Sequence, residues 1–130
     1  MKQLQMHHDV DPREQLLSEL GDVSAIKLMT NQILVAVYVR PEKTKSGLYL
    51  SDHYRDEDKY QSKIGLLVST GPKAFSAESD EWFKDISVNQ GDWVLFRPSD
   101  GWSVTVNGVP CKIMTDAQVR GTLDNPDRVW

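Results

Sequence analysis

The longest unbroken apolar run in the chain covers residues 33–39 and reads ILVAVYV. Its residues are mostly β-branched or aromatic, and they do not alternate with polar ones, which is typical of a β-strand covered on both faces. The run is only about a third of the roughly 20 residues that a membrane helix needs. It therefore predicts a central strand that has one face toward a core and a second face that needs its own cover.

Four further segments have the composition of short strands and are bounded by turn residues. Gly71-Pro72 ends one of them, Gly91-Asp92 precedes another, and Asn107-Gly108 forms a strong two-residue hairpin signal because both residues tolerate positive φ. Five short strands without helices between them predict an all-β fold, a small antiparallel sheet that closes or pairs as a barrel or sandwich. Residues 116–123 fit either a turn or the end of the last strand. The four segments are 64–71, 92–97, 102–106 and 109–114.

A short helix is predicted for Pro12–Leu20, before the first strand. Asp11 is a suitable N-cap, proline suits the first helical position, and Gly21 suits the stop. So short a helix must dock on something, and it could brace or plug an assembly of several subunits or tether it to another protein. The leucines expected on its apolar face are Leu16, Leu17 and Leu20.

The length of 130 residues favours one domain, with an N-terminal extension (1–30), a β-domain (31–123) and a short tail (124–130). A net charge of -4 argues against nucleic acid and anionic membranes as partners. Cys111 is the single cysteine, which excludes an internal disulfide and a multi-thiolate zinc site. We therefore expect a cytoplasmic protein.

No constellation for catalysis or cofactor binding is apparent in the sequence, which lacks a Gly-rich phosphate loop and the common hydrolase and metalloprotease motifs. Cys111 lies in a predicted strand and fits a buried structural cysteine better than a nucleophile. Two polar clusters could be metal ligands but fit solvated surface better. We therefore predict no enzyme activity, no metal and no cofactor. The two clusters are His7, His8, Asp9 and Asp11, and Asp52, His53, Asp56, Glu57 and Asp58.

One polar stretch, residues 42–65, separates the first two strands and reads EKTKSGLYLSDHYRDEDKYQSKIG. It contains a single compact apolar triplet, Leu48-Tyr49-Leu50. The order and spacing of this stretch and the strands around it resemble the GroES-like co-chaperonins, the chaperonin-10 family, from about residue 32 to 123. The matching segments are T-K-S-G with the triplet (44–50), I-G-L-L-V-x-x-G-P (64–72), G-D-W-V-L-F (91–96) and I-M-x-D (113–116).

The resemblance implies an irregular antiparallel β-barrel that assembles into a seven-membered ring. Such a ring is a lid on the chamber of a chaperonin-60 ring, where an unfolded client protein folds, and ATP is bound by the partner. The stretch 42–64 would be a mobile loop whose apolar residues enter a groove of chaperonin-60, in the cytoplasm of a bacterial or virus-infected bacterial cell. The partner-binding residues would be Gly47, Leu48, Tyr49 and Leu50.

The resemblance also implies a subunit interface, because the family pairs the first strand of one subunit with the last strand of the next. Full burial of these residues inside one chain is the alternative. Trp82 and Phe83 would belong to a roof loop that lines the dome opening, unless they fold back on the barrel. The interface residues would be Ile33, Val35, Val37, Ile113 and Met114.

Some residues depart from the family pattern. Asn31-Gln32 stands where an Asp-Arg pair is usual, and Gly47 stands alone where two glycines are usual. These differences fit a divergent member, such as a virus-encoded one, or a virion or other assembly protein that reuses the barrel and uses the extension, loop and tail as assembly contacts. Residues 47–50 could also be part of a long edge hairpin that packs on its own barrel. Zinc-dependent alcohol dehydrogenases also contain such barrels, but this chain lacks their nucleotide domain and Cys/His ligands.

Overall fold

The structure is a computed structural model that describes residues 6, 8–41, 47–48, 51–76, 81–85 and 87–129. Within these residues the chain forms six β-strands, two α-helices and three short 3₁₀ turns. The helices are α1 (Pro12–Leu20) and α2 (Asp52–Gln61). The strands are β1 (Gln32–Val37), β2 (Ile64–Thr70), β3 (Trp93–Leu95), β4 (Trp102–Val106), β5 (Val109–Thr115) and β6 (Gly121–Leu123).

The six strands form one sheet in the order β4-β5-β1-β2-β3-β6, and all its pairings are antiparallel. This confirms the predicted all-β class. The number of strands differs from the prediction, because Gly121–Leu123 forms a sixth strand along β3, with Leu123 opposite Trp93. The Asn107-Gly108 hairpin is confirmed, with positive φ at both residues (51° and 82°).

The sheet carries an apolar cluster on each face. Alternate residues of β1 point to opposite sides, so Leu34 and Ala36 belong to one cluster, and Ile33 and Val35 belong to the other. Side chains from β4 and from β6, the two ends of the sheet, pack on the first cluster. The sheet therefore curls around that cluster in a barrel-like manner.

This double burial corrects the expectation of a subunit interface on β1. Ile33, Val35 and Val37 are at most 1% exposed, and Met114 of β5 is 2% exposed, within a single chain. Ile113 remains partly buried and packs on the first cluster. Both edges of β1 are also occupied, by β2 and β5. The cover expected from a neighbouring subunit is supplied by the chain itself, as in the alternative of internal burial.

Helix α1 has the predicted bounds and lies against the sheet. Leu20 is 1% exposed in the first cluster and Leu16 packs against it, whereas Leu17 is 45% exposed, which corrects its placement on the buried face. The amide of Asn107 in the β4-β5 hairpin donates to the Leu20 carbonyl at 2.7 Å and so caps the C-terminal end of the helix. The helix therefore packs on the barrel-like domain of its own chain, and its role in an assembly stays a prediction.

The N-terminal extension and the tail also meet. Tyr38, just after β1, donates through its hydroxyl to Asp127 Oδ1 at 2.5 Å, and His8 Nε2 lies 2.8 Å from Asp127 Oδ2. Burial, and then the hydrogen bond to Asp127, raise the pKa of Tyr38 far above its ordinary value. His8 is therefore part of a packed network, which corrects its prediction as solvated surface.

Candidate functional site

The polar stretch after β1 is only partly a loop. Strand β1 ends at Val37, and residues 52–61 form helix α2 before β2 begins at Ile64. The prediction of a loop over residues 42–64 is therefore wrong for its C-terminal half. The first half includes Gly47 and Leu48 among the described residues, whereas Tyr49 and Leu50 of the predicted triplet lie outside them.

A buried ion pair joins α2 to Arg40, three residues after the end of β1. Asp58 is 1% exposed, and its Oδ2 accepts hydrogen bonds from the backbone N–H and from Nε of Arg40, both at 3.0 Å. The other oxygen, Oδ1, accepts from the terminal guanidinium nitrogen at 2.9 Å. Since a bidentate arginine and a backbone donor compensate the buried charge, Asp58 is not the solvated loop residue that we predicted.

Arg55 adds a second contact at the same place, because its Nε donates to the Arg40 carbonyl at 3.2 Å. The end of the helix is fixed as well. Ser62 is 1% exposed, and its hydroxyl donates to the Ile64 carbonyl at 3.0 Å. Helix α2 is therefore attached at its middle to Arg40, and a local hydrogen bond of Ser62 fixes the turn between the helix and β2.

The candidate binding residues precede this helix. Gly47 has a φ of 92°, which favours glycine over other residues, and Leu48 is 58% exposed. An exposed leucine next to a conformationally permissive residue, between the attached ends Arg40 and Arg55, offers an apolar contact to a partner. Such a site can bind by burial of hydrocarbon.

The predicted roof residues are separated by the structure. They lie in the 3₁₀ turn Glu81–Asp85, where Trp82 is 77% exposed. Phe83 is partly buried and packs edge-on against Phe75, with ring centroids 5.4 Å apart. Phe83 therefore folds back on the domain, as the alternative had it, while a role for Trp82 at a dome opening stays a prediction.

The predicted structural role of Cys111 agrees with its burial at 1% exposure on β5. Burial raises the pKa of the thiol from 9.0 to about 11, which disfavours the reactive thiolate. Across the part of the chain that is described, no group of three or more His, Cys, Asp or Glu side chains could hold a metal ion. None of the helices described there is long and apolar enough to cross a membrane.

Three buried charges escaped the sequence analysis in addition to the network of Tyr38 and Asp127. Asp58 holds α2, and Asp116 accepts from the Asn31 side chain and from the Phe75 N–H at the opposite end of β1. Lys112 donates to the carbonyls of Pro98 and Asp100, and burial lowers its pKa. Each has its partner far away in sequence, so no local pattern could have revealed it.

Comparison with known proteins places this architecture in a family. The family model of the chaperonin 10 Kd subunit matches residues 25–123. The co-chaperonin GroES of Cereibacter sphaeroides is 33% identical over 99 residues, which are 76% of this chain and 98% of that protein. The co-chaperonin GroES of Syntrophomonas wolfei is 28% identical over 108 residues, 83% of this chain and 98% of the relative. The co-chaperonin GroES of Rhodothermus marinus is 25% identical over 99 residues, which are 76% of this chain and 92% of that protein.

The matched region contains the sheet, α2 and the exposed Leu48, and it begins after α1. Helix α1 and the tail after Leu123 are thus additions that pack on a family domain. The order of strands and turns that suggested the resemblance lies within the matched residues. The chain therefore belongs to the chaperonin-10 family.

Proposed function

We propose that the protein is a co-chaperonin that caps the chamber of an ATP-driven chaperonin-60 ring and assists the folding of a client protein there. It performs no catalysis and binds no nucleotide in this role, because ATP belongs to the partner. The proposal rests on one observation above all: Leu48, between β1 and β2 in a chain that matches the chaperonin-10 family model, is 58% exposed beside Gly47. This protein and its chaperonin-60 partner would act together in the bacterial cytoplasm.

The binding chemistry is the burial of the apolar triplet 48–50 in a groove of the partner. Burial of two leucines and a tyrosine contributes roughly 4 to 8 kcal/mol, whereas ordering a loop on binding costs about 2 to 5 kcal/mol. A single loop therefore binds weakly. Several loops on one ring convert later contacts into intramolecular ones, with avidity gains on the order of 10² to 10⁴.

A ring with sevenfold symmetry is the expected assembly, and its contacts must lie outside β1. Both edges of β1 are paired within the chain, whereas β4 and β6 stand at the two ends of the sheet. Strands at sheet ends are those that can add a strand from another subunit. We propose that subunits meet there, and light scattering at tens of micromolar protein tests the ring, since a strict monomer contradicts it.

The decisive test is a pull-down with chaperonin-60, with ATP and without nucleotide. Wild type should bind in the presence of ATP. Leu48→Ser should abolish this binding and leave the melting temperature nearly unchanged, because the side chain is exposed. Leu17→Ser is the matched control, since Leu17 is also exposed but lies on α1, outside the matched region, and this variant should bind like wild type.

Two results would contradict the proposal. If Leu48→Ser lowers the free energy of unfolding by several kcal/mol, the residue packs on its own subunit. If wild type fails to bind chaperonin-60 in every nucleotide state, the co-chaperonin role is wrong and an assembly role with another partner takes its place.

A further inference from the structure

A cavity of about 210 Å³ is lined by both helices, by the end of β1 and by the β4-β5 hairpin. Helix α1 lies outside the residues that the family model matches, so this cavity is completed by an element added to the family domain. Pockets for drug-sized ligands have volumes of at least about 300 Å³ and combine apolar walls with a few polar groups. The cavity therefore suits a smaller molecule, about the size of an amino acid.

Part of the lining is apolar and fixed. Val37 of β1 and Val109 of β5 are 1% and 5% exposed, and both line the cavity. Leu16 of α1 lies beside them in the lining and packs on the first cluster. Because these side chains belong to the packed core or touch it, they form a surface on which an apolar group can pack without rearrangement.

Two polar residues of the lining are already engaged with the tail. His8 Nε2 lies 2.8 Å from Asp127 Oδ2, and the Tyr38 hydroxyl donates to Asp127 Oδ1 at 2.5 Å. Their hydrogen bonds close one part of the cavity wall. The charged groups that remain for a ligand are therefore those of the two helices.

The helices bring charges of opposite sign to the cavity. Helix α1 contributes Glu19, and helix α2 contributes Arg55 and Lys59, which are four positions apart and so lie on one face of the helix. Nε of Arg55 donates to the Arg40 carbonyl, but its terminal guanidinium nitrogens make no hydrogen bond within the described part of the chain. Such a guanidinium fork matches the two oxygens of a carboxylate.

These opposite charges do not pair with one another. In the residues that the structure describes, no ion pair joins Glu19 to Arg55 or to Lys59. Each helix has its own attachment, since α1 is fixed by buried Leu20 and α2 by the buried carboxylate of Asp58. The charges are therefore held in one cavity before a ligand arrives, which lowers the cost of binding.

We propose that this cavity binds a small zwitterion with an apolar body, an apolar α-amino acid. The carboxylate of the ligand binds Arg55 and Lys59, and its ammonium group binds Glu19. The apolar side chain of the ligand packs on Leu16 and Val109. A molecule with both charges satisfies both helices at once, whereas a simple anion or a simple cation leaves one helix without a partner.

The experiment follows the amide resonances of the whole protein by NMR while L-leucine is added. The dissociation constant should be on the order of 1 mM, as expected for so small a ligand, and the amides of Leu16 and Val109 should shift. Isocaproate, which is leucine without its ammonium group, and isoamylamine, which is leucine without its carboxylate, should each bind about two- to fivefold more weakly. Unshifted cavity amides at tens of millimolar leucine would overturn the proposal, and so would equal affinity for the three probes.

Two variants assign the charges. Glu19→Gln should weaken leucine binding about two- to fivefold without weakening isocaproate, which has no ammonium group. Lys59→Ala should weaken leucine and isocaproate by similar factors without weakening isoamylamine. Glu14→Gln and Lys63→Ala are the matched controls, because both residues are exposed and lie outside the cavity lining, and these variants should bind leucine like wild type. Equal weakening of all three probes in a cavity variant would contradict the assigned charges.

The amino-acid site does not depend on the proposed function. The titration uses this protein alone, so a failure to bind chaperonin-60 leaves the leucine result unchanged. A failure to bind leucine likewise leaves the co-chaperonin role as it stands.

Discussion

Helix α2 is the next element after strand β1 and contacts Arg40, three residues beyond the strand, but different forces hold the two elements in place. In β1, residues 33–37 are at most 1% exposed, and apolar side chains cover both faces of the strand. In α2, the buried side chain among those described is a carboxylate, Asp58. The strand is held by area removed from water, and the helix by a few directed hydrogen bonds.

Because of this difference, the stability of the domain and the stability of α2, next to the candidate binding site, should depend on different contacts. Apolar burial is shared among many neighbours, so β1 can leave the sheet only when the domain unfolds. The contacts that Asp58 and Arg55 of α2 make meet at Arg40, so we expect the helix to open locally while the sheet stays intact. The part of the chain next to the candidate binding site is therefore the part that can change its state at least cost.

The largest expected effect tests the strand. Leu34→Ala should lower the free energy of unfolding by about 2 to 5 kcal/mol, because Leu34 is fully buried in the first cluster and its truncation leaves a cavity. Urea denaturation followed by circular dichroism measures this change. Leu17→Ala, at a 45% exposed position, is the control and should stay within about 0.5 kcal/mol of wild type. Similar values for the two variants would mean that β1 is not the core.

The same contrast explains which parts of the structure the sequence predicted. The strands of the core were predictable because apolar runs and turn residues are local signals, and β1 and the Asn107-Gly108 hairpin follow them. The burial of Asp58 was not predictable from its neighbours, since it depends on Arg40, 18 positions away. From sequence alone, a charged residue is predicted to be exposed to solvent, and only the identity of its partner shows that it can be buried.

Two other misses have the same origin. Strand β6 has three residues, too few to show a period, and it exists because β3 lies beside it. Asp127 is 89 positions from its partner Tyr38, so no local pattern predicted that the tail contacts the domain. For the site, the sequence identified Leu48 by its apolar character in a polar stretch. It could not identify the helix that follows, because α2 docks through a charge and not through an apolar face.

The second prediction concerns Cys111, a buried thiol in the apolar cluster beside β1. Cys111 lies opposite Ala36 in the β1-β5 ladder, and burial raises the pKa of its thiol from 9.0 to about 11. The unfolded chain loses this proton at a lower pH than the folded chain, so stability falls as the pH rises from about 9 to about 11. The loss should reach about 2 kcal/mol near pH 11.

Urea denaturation between pH 8 and pH 11 measures the dependence of stability on pH. Tyr38 and Lys112 also titrate anomalously, so the difference between wild type and Cys111→Ala isolates the thiol. If the two proteins differ in their free energy of unfolding by the same amount at every pH in this range, water reaches Cys111 and the thiol is not buried.

The third prediction tests the helix. Arg40→Lys keeps the charge but loses the planar fork that binds both oxygens of Asp58. The amides of α2 should exchange about tenfold faster with solvent, while the urea midpoint for the whole domain changes little, because β1 does not depend on this contact. Hydrogen exchange with mass spectrometry resolves the two regions. If the β1 amides lose protection to the same extent, β1 and α2 unfold together as one cooperative unit and the contrast between them is wrong.

The smallest expected effect concerns the outer face of α2. Lys59 lies 3.4 Å from Asp56, three positions earlier, and both side chains are well exposed. Exposed ion pairs contribute about 0 to 1 kcal/mol and are screened by salt, whereas the buried pair of Arg40 and Asp58 is shielded from water. Lys59→Ala should therefore leave the hydrogen-exchange protection of α2 within a factor of about two of wild type. Raising the salt concentration should have equally little effect on the wild-type helix. A strong loss in either experiment would mean that surface charges hold α2, and the contrast between a helix held at one buried point and a strand held by its whole surface would no longer stand.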